Sequence, residues 1–365
     1  MKKVDISEIK PGMILAEDII SPKGQLLAKE GTMITAQQLL HISYYNIKTI
    51  RVQDEKDAIE KYNLEAPDDF VGETQSWRIQ NSKEFKDFKK AYDKCADKLE
   101  HTIEDLVHNQ VPLSDEEILN DIHKVFEDHS TGLGIMAMML NVQVIDSGTY
   151  KHSVNVAIIS RVCGGWMGIK DPKELDVLTM CGLFHDVGKA LIPNEILTKP
   201  AALTDDEFAR MAEHPLLGYN ILSDLNMDRR IKLAALQHHE RNDGSGYPYG
   251  LTKDFITPYA KIVAITDVYD AMTADRCYRA GICPFEVIAQ FQREKPTKYD
   301  QSILQVFLEN IADSYIGTGV LLSDNSRGII TMIQQNALSS PLVKLDDGSF
   351  VDLRERNDLY IKACV

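Results

Sequence analysis

His185-Asp186-Val187-Gly188-Lys189 is the stretch on which the reading of this chain turns. The adjacent His and Asp offer one neutral nitrogen ligand and one anionic oxygen ligand. A carboxylate has two oxygens, so Asp186 can bridge two cations. Lys189 lies three residues after Asp186, on the same face if the segment is helical. A point charge there can hold a phosphate beside metal. An isolated His-Asp pair is common and means nothing alone, so the question is which partners the rest of the chain supplies.

Working outward, the candidates in order are His152, His185, Asp186, His214, His238, His239 and Asp267. Each has a bland reading. His152 can be a residue near a helix start, His214 a C-terminal His satisfying a helix dipole, and His239 a surface residue. Asp267 is different, because it sits within Ile262-Val263-Ala264-Ile265-Thr266-Asp267-Val268. A carboxylate in an otherwise apolar helix is costly unless paired or metal-bound. Five imidazoles and two carboxylates form an N/O donor set that suits Fe, Mn, Co or Zn and disfavours an all-oxygen Mg or Ca cage. Seven ligands exceed the need of one tetrahedral ion. They suffice for two if Asp186 bridges, and a hydroxide held between two metals is a device for in-line attack on a phosphoryl group.

These donors lie in a region that reads all-helical from 114 to 316. Ser114 with Glu117 is a capping-box signature, and Asp171-Pro172 caps the helix that carries His185-Asp186 near its end. Thr204 opens the next helix by the same box, and Pro215 is expected to stop it at His214. Pro258 to about Asp275 is a further helix, carrying Asp267 with Asp270 on the same face.

The flanks differ. Residues 1–53 read as a small α+β module, with Lys48-Thr49-Ile50-Arg51-Val52 alternating like an edge strand and Thr35 to Tyr44 as a short helix. Residues 54–113 form a linker and a helical connector. In the connector Phe85, Phe88, Tyr92, Cys95, Leu99, Ile103 and Leu106 make an apolar stripe. Its near-heptad spacing fits either packing on its own domain or a homodimer seam. The helical domain spans 114–320. Residues 321–365 are a C-terminal β extension whose Asp347-Gly348 marks a hairpin turn. The fold class is mainly α.

Composition bounds the function. A formal charge of −15 argues against a duplex nucleic-acid partner, which needs a basic face. It leaves room for a small phosphate ligand at a metal centre. The six cysteines are scattered without a CxxC pair and read as reduced thiols. No apolar run reaches membrane-spanning length, and Met1-Lys2-Lys3-Val4-Asp5 lacks a signal peptide's apolar segment, so a cytoplasmic protein is expected.

The motifs closely resemble those of the HD-GYP family, a branch of the HD-domain metal-dependent phosphohydrolases. They are His185 to Lys189, His214-Pro215-Leu216-Leu217-Gly218, His238-His239-Glu240-Arg241-Asn242-Asp243-Gly244-Ser245-Gly246-Tyr247-Pro248, and Asp267 to Arg279. The resemblance covers about 140 to 315. It implies a helical HD-GYP domain that hydrolyses cyclic di-GMP to linear pGpG or GMP with two divalent ions, Fe or Mn foremost. It further implies His152, His185, Asp186 and Asp267 as ligands of one metal. Asp186, His214, His238 and His239 would hold the second. Lys189, Tyr247, Arg276 and Arg279 match substrate-binding residues, Lys189 beside the metals. Asp270 is expected to hydrogen-bond a ligand from behind.

Two departures stand out. Gly148 stands where three-metal members have a Glu, so two metals are expected, although Asp146 lies nearby. Cys277 replaces a usual Pro. Two rival readings remain: a cyclic di-GMP receptor with little turnover, and an HD phosphohydrolase acting on another cyclic dinucleotide.

Overall fold

The computed structural model describes residues 2–5, 15–17, 19–20, 26–28, 49–52, 79–109, 115–127, 131–143, 149–199, 201–274, 281–356 and 358–364. The chain divides into two units, Met1–Glu73 and Thr74–Val365.

In the first unit β1 (Lys2–Asp5) pairs antiparallel with β4 (Thr49–Val52). β2 (Ile19–Ile20) pairs with β3 (Leu26–Ala28). The alternation read in β4 is real: Ile50 and Val52 are buried while Thr49 and Arg51 are exposed. The helix expected at 35–44 and the linker up to residue 78 lie outside the described residues.

The second unit begins with the apolar stripe. α1 (Lys83–Glu104) starts where Ser82 Oγ accepts the Phe85 N–H at 3.0 Å. Phe85, Phe88, Tyr92, Cys95, Leu99 and Ile103 are all buried within this chain. Each large apolar side chain so removed from water contributes about 1.5–3 kcal/mol. The stripe is therefore a domain-packing face. Tyr92 ties it to the next layers by donating to Asn155 Oδ1 at 2.7 Å. α2 (Asp115–Phe126) and α3 (Gly132–Gln143) follow, and Ser114 of the expected capping box lies outside the described residues.

α4 (Thr149–Trp166) and α5 (Pro172–Phe184) form the central hairpin. They touch backbone to backbone, since a Cβ on Gly182 would lie 2.5 Å from Ala157 Cα. Asp171 caps α5 by accepting Lys173 N–H at 3.0 Å. After α5 come a 3-10 turn (Val187–Leu191), α6 (Asn194–Leu197), α7 (Asp205–Met211), α8 (His214–Ser223) and α9 (Arg229–Gln237).

The expectation that Pro215 ends a helix at His214 is corrected here. α7 stops at Met211, and His214 opens α8 with Pro215 in its first turn. A first-turn N–H has no intrahelical partner, so proline loses nothing there.

α10 (Pro258–Thr273) runs through the middle of the unit and is buried almost all round. That is why its sequence lacks an amphipathic stripe. α11 (Pro284–Arg293) and α12 (Gln301–Asp313) pack beside it. The chain ends in one antiparallel sheet ordered β8 (Phe350–Asp352), β7 (Leu342–Leu345), β6 (Arg327–Met332), β5 (Gly319–Leu322), β9 (Ile361–Cys364). Its Val320, Leu322, Ile330, Val343 and Ile361 join the same apolar core as Phe307 and Tyr315. Gly348 takes φ +85° in the β7–β8 turn, as the Asp-Gly signal predicts.

Candidate metal centre

Four helix ends and one helix middle converge on a buried site. His152 sits in the first turn of α4, His185 caps the end of α5, and Asp186 follows. His214 starts α8, His238 caps the end of α9, and His239 comes next. Asp267 and Asp270 project from α10.

Helix termini leave backbone carbonyls without intrahelical partners. Three imidazoles use such groups. His185 Nδ1 donates to Gly182 O at 2.7 Å, His214 Nδ1 to Met211 O at 2.8 Å, and His238 Nδ1 to Ala235 O at 2.9 Å. Each bond places a ring proton on Nδ1 and aims Nε2 into the pocket, where the neutral ring presents a lone pair. His152 is oriented by a carboxylate instead, its Nδ1 lying 2.7 Å from Asp270 Oδ2. Asp270 is fully buried and stands one turn from Asp267, as helical spacing predicts.

The Asp186 carboxylate lies between two groups of donors. Its Oδ1 is 3.3 Å from His214 Nε2 and 3.6 Å from His238 Nε2. Its Oδ2 is 3.3 Å from His185 Nε2 and 3.7 Å from His152 Nε2. Asp267 Oδ1 closes the second side, 3.0 Å from His152 Nε2 and 3.7 Å from His185 Nε2. Asp186, His214, His238 and His239 thus form one donor cluster, and His152, His185 and Asp267 another, each with ligand atoms within 4.8 Å of one another. The Lys189 ammonium contacts Asp186 Oδ2 directly.

The donor set fits divalent metal. His185 Nε2 and Asp186 Oδ1 are buried and make no hydrogen bond. Leaving such atoms unsatisfied costs about 1–3 kcal/mol each, which a cation would remove. The electrostatics favour positive charge between the carboxylates: burial would lower His185, but Asp186 and Asp267 outweigh it and push it up to about 10. Burial would raise Asp186, but His185 and Lys189 outweigh it and hold its carboxyl well below the usual range. Asp267 is held low in the same way, by His152 and His185. Burial, together with its imidazole neighbours, pushes His238 down to about 4, and burial with His238 beside it holds His239 well below the usual imidazole value, so both are neutral, ligand-competent rings.

Tyr247 lies over this centre, its ring stacked on His239 at 4.6 Å and 27°. Burial, with Asp267 and Asp186 adding to it, pushes its hydroxyl up, so it stays an O–H donor. The loop is held by Glu240, a residue that sequence reasoning passed over. Buried at 2% exposure, its carboxylate accepts Tyr249 N–H and Leu251 N–H, both at 2.8 Å. Gly246 lets the loop close, because a Cβ there would stand 2.4 Å from His239 O. The available signal was a carboxylate placed between two imidazoles and a glycine-rich turn. Arg276 and Arg279, with Gly148, Asp146 and Cys277, lie outside the described residues.

An all-helical domain with two adjacent His/Asp donor clusters, the Asp186 carboxylate lying between them, defines the class as a helical domain with a candidate metal centre. Residues 136–303 match the HD domain family model. A Pseudomonas aeruginosa protein named cyclic di-GMP phosphodiesterase is 33% identical over 208 residues, 57% of this chain and 50% of its own length. The cyclic di-GMP phosphodiesterase PdeB of Borreliella burgdorferi is 30% identical over 210 residues, 57% of this chain and 55% of its own. The chain therefore spans about half the length of these curated relatives. The solved structure of Bd1817, an HDG"Y"P protein from Bdellovibrio bacteriovorus, aligns with TM-score 0.52. That match covers 84% of this chain and 97% of the other at 18% identity, a likeness of fold. Among the described residues no helix is long and apolar enough to cross a membrane.

Proposed function

We propose that this chain is a metal-dependent phosphodiesterase that hydrolyses cyclic di-GMP to linear pGpG, GMP or both. The observation that carries the reading is the Asp186 carboxylate, one oxygen turned to His214 and His238 and the other to His185 and His152. His152, His185, Asp186 and Asp267 would hold one divalent ion, and Asp186, His214, His238 and His239 a second. Iron or manganese suits these ligands. Bound there, the ions supply Lewis-acid polarisation of the phosphoryl group and a nucleophile at neutral pH.

The chain's own side chains do the rest. Lys189 carries a positive charge to the edge of the centre, where it neutralises charge building on the phosphoryl oxygens. Tyr247 presents its O–H over His239 and positions the dinucleotide from its loop. Arg276 and Arg279 are assigned phosphate contacts by motif, a task for which the guanidinium fork is suited. Asp270 keeps His152 turned inward.

The test is anaerobic purification with metal analysis, followed by incubation with cyclic di-GMP and Mn or Fe under reducing conditions. Product chromatography should show pGpG or GMP, and Asp186→Ala should lose metal and turnover together. Full hydrolysis by metal-free Asp186→Ala would reject the mechanism. Tight binding without turnover by the loaded wild type would make the chain a receptor.

A further inference from the structure

Phe208 projects from α7 with 53% of its surface exposed. The helix is placed by its capping box, in which Thr204 Oγ1 accepts Glu207 N–H and Glu207 accepts Thr204 N–H. None of its residues is buried, so α7 fills no core. Its sequence, Asp205-Asp206-Glu207-Phe208-Ala209-Arg210-Met211, holds one aromatic ring among mostly charged neighbours. That ring does not face solvent alone. It meets Tyr247 at 6.1 Å and 76°, and Tyr247 in turn stacks on His239. A run of rings thus leads outward from the donor cluster, and its last two members stand nearly perpendicular, the outermost, Phe208, being exposed.

We infer that Phe208 is the stacking platform for a purine base of the cyclic dinucleotide, a substrate-binding residue of the site. This rests on the proposed function. A phosphate held at the centre leaves its attached base outside it, and the rings of Tyr247 and Phe208 stand next to that centre to receive it. Every base has a π-face, and an exposed aromatic ring at a nucleotide site is the group that recognises it. The remaining face of Phe208 is then covered by substrate and not by protein.

The test is steady-state kinetics on cyclic di-GMP with the metal-loaded full chain. Phe208→Ala should raise KM about 5- to 150-fold, the span of one base–aromatic stack, with a smaller change in kcat. Phe208→Tyr and Phe208→Trp should restore KM. The indole of Phe208→Trp should also lose fluorescence on adding cyclic di-GMP, beyond any change from Trp77 and Trp166 in the wild type. A Phe208→Ala KM within twofold of wild type, or no added quenching in Phe208→Trp, overturns the inference. A wild type that turns nothing over rejects the phosphodiesterase reading instead, and quenching in Phe208→Trp still decides whether the base sits on this ring.

Discussion

Gly188 lies so close to His214 that a Cβ on it would stand 2.0 Å from the His214 carbonyl oxygen. The turn that carries Lys189 and the helix that presents His214 therefore meet backbone to backbone, with Gly218 completing the contact. Nothing flexible is available to give way. Gly188→Ala should displace α8, cost about 1–3 kcal/mol or more, and reduce the metal retained. Urea unfolding and metal content after gel filtration check this. A wild-type midpoint with full metal would show that the contact can relax.

Asp270 orients His152 without facing the pocket. Asp270→Asn keeps the shape but removes the anionic acceptor of the His152 Nδ1–H. Metal affinity should fall about 10- to 100-fold. Competition against a chelator measures it, and an unchanged affinity would reduce Asp270 to a packing residue.

Glu240 holds the Tyr247 loop through two backbone N–H groups. Glu240→Ala leaves both donors without an acceptor, a loss of about 1–3 kcal/mol each if they stay buried. Hydrogen exchange at Tyr249 and Leu251 should accelerate, and KM for the dinucleotide should rise. Wild-type protection at those two amides would refute the anchor.

Ions that bind only the folded chain stabilise it by mass action, about 2.7 kcal/mol at a hundredfold excess over Kd. Chelation should therefore lower Tm, and added Mn should restore it. In Asp186→Ala neither treatment should move Tm. Equal shifts in both proteins would place the stabilising ion elsewhere.

Acid stability should depend on Asp121, which is 6% exposed and bonded to Lys98 at 2.9 Å and to Lys94 and Lys124 at 3.2 Å each. Burial would raise its carboxyl, but the three ammonium groups outweigh this and hold it at about 2, below the usual 3.8. A depressed folded-state pKa means stability that is present above 3.8 and lost as pH falls through about 2. Asp121→Asn should accordingly be less stable than wild type at pH 7, with the gap closing toward pH 2. A gap that does not change with pH would contradict the assignment.

Much of the fold is local and therefore readable. The Asp171 and Thr204 caps, the α1 stripe and the Asp-Gly turn each act over a few residues, and each is where the sequence puts it. The Pro215 reading failed because proline's effect depends on whether a helix is ending or starting there. β5 and β9 went unread because their pairing joins Val320 to Cys364, which no short-range pattern reports.

The seven donors were legible because unusual residue types stand out against apolar helices. Asp267 amid Ile, Val and Ala is costly to bury without a partner, so its chemistry is implied by its neighbours. What tertiary structure alone decided is direction. Which Asp186 oxygen meets which imidazoles, that Glu240 turns back to hold its own loop, and that Phe208 meets Tyr247 all depend on helices far apart in sequence being brought together. Burial makes a polar residue demand a partner, but only packing in three dimensions determines which partner it finds.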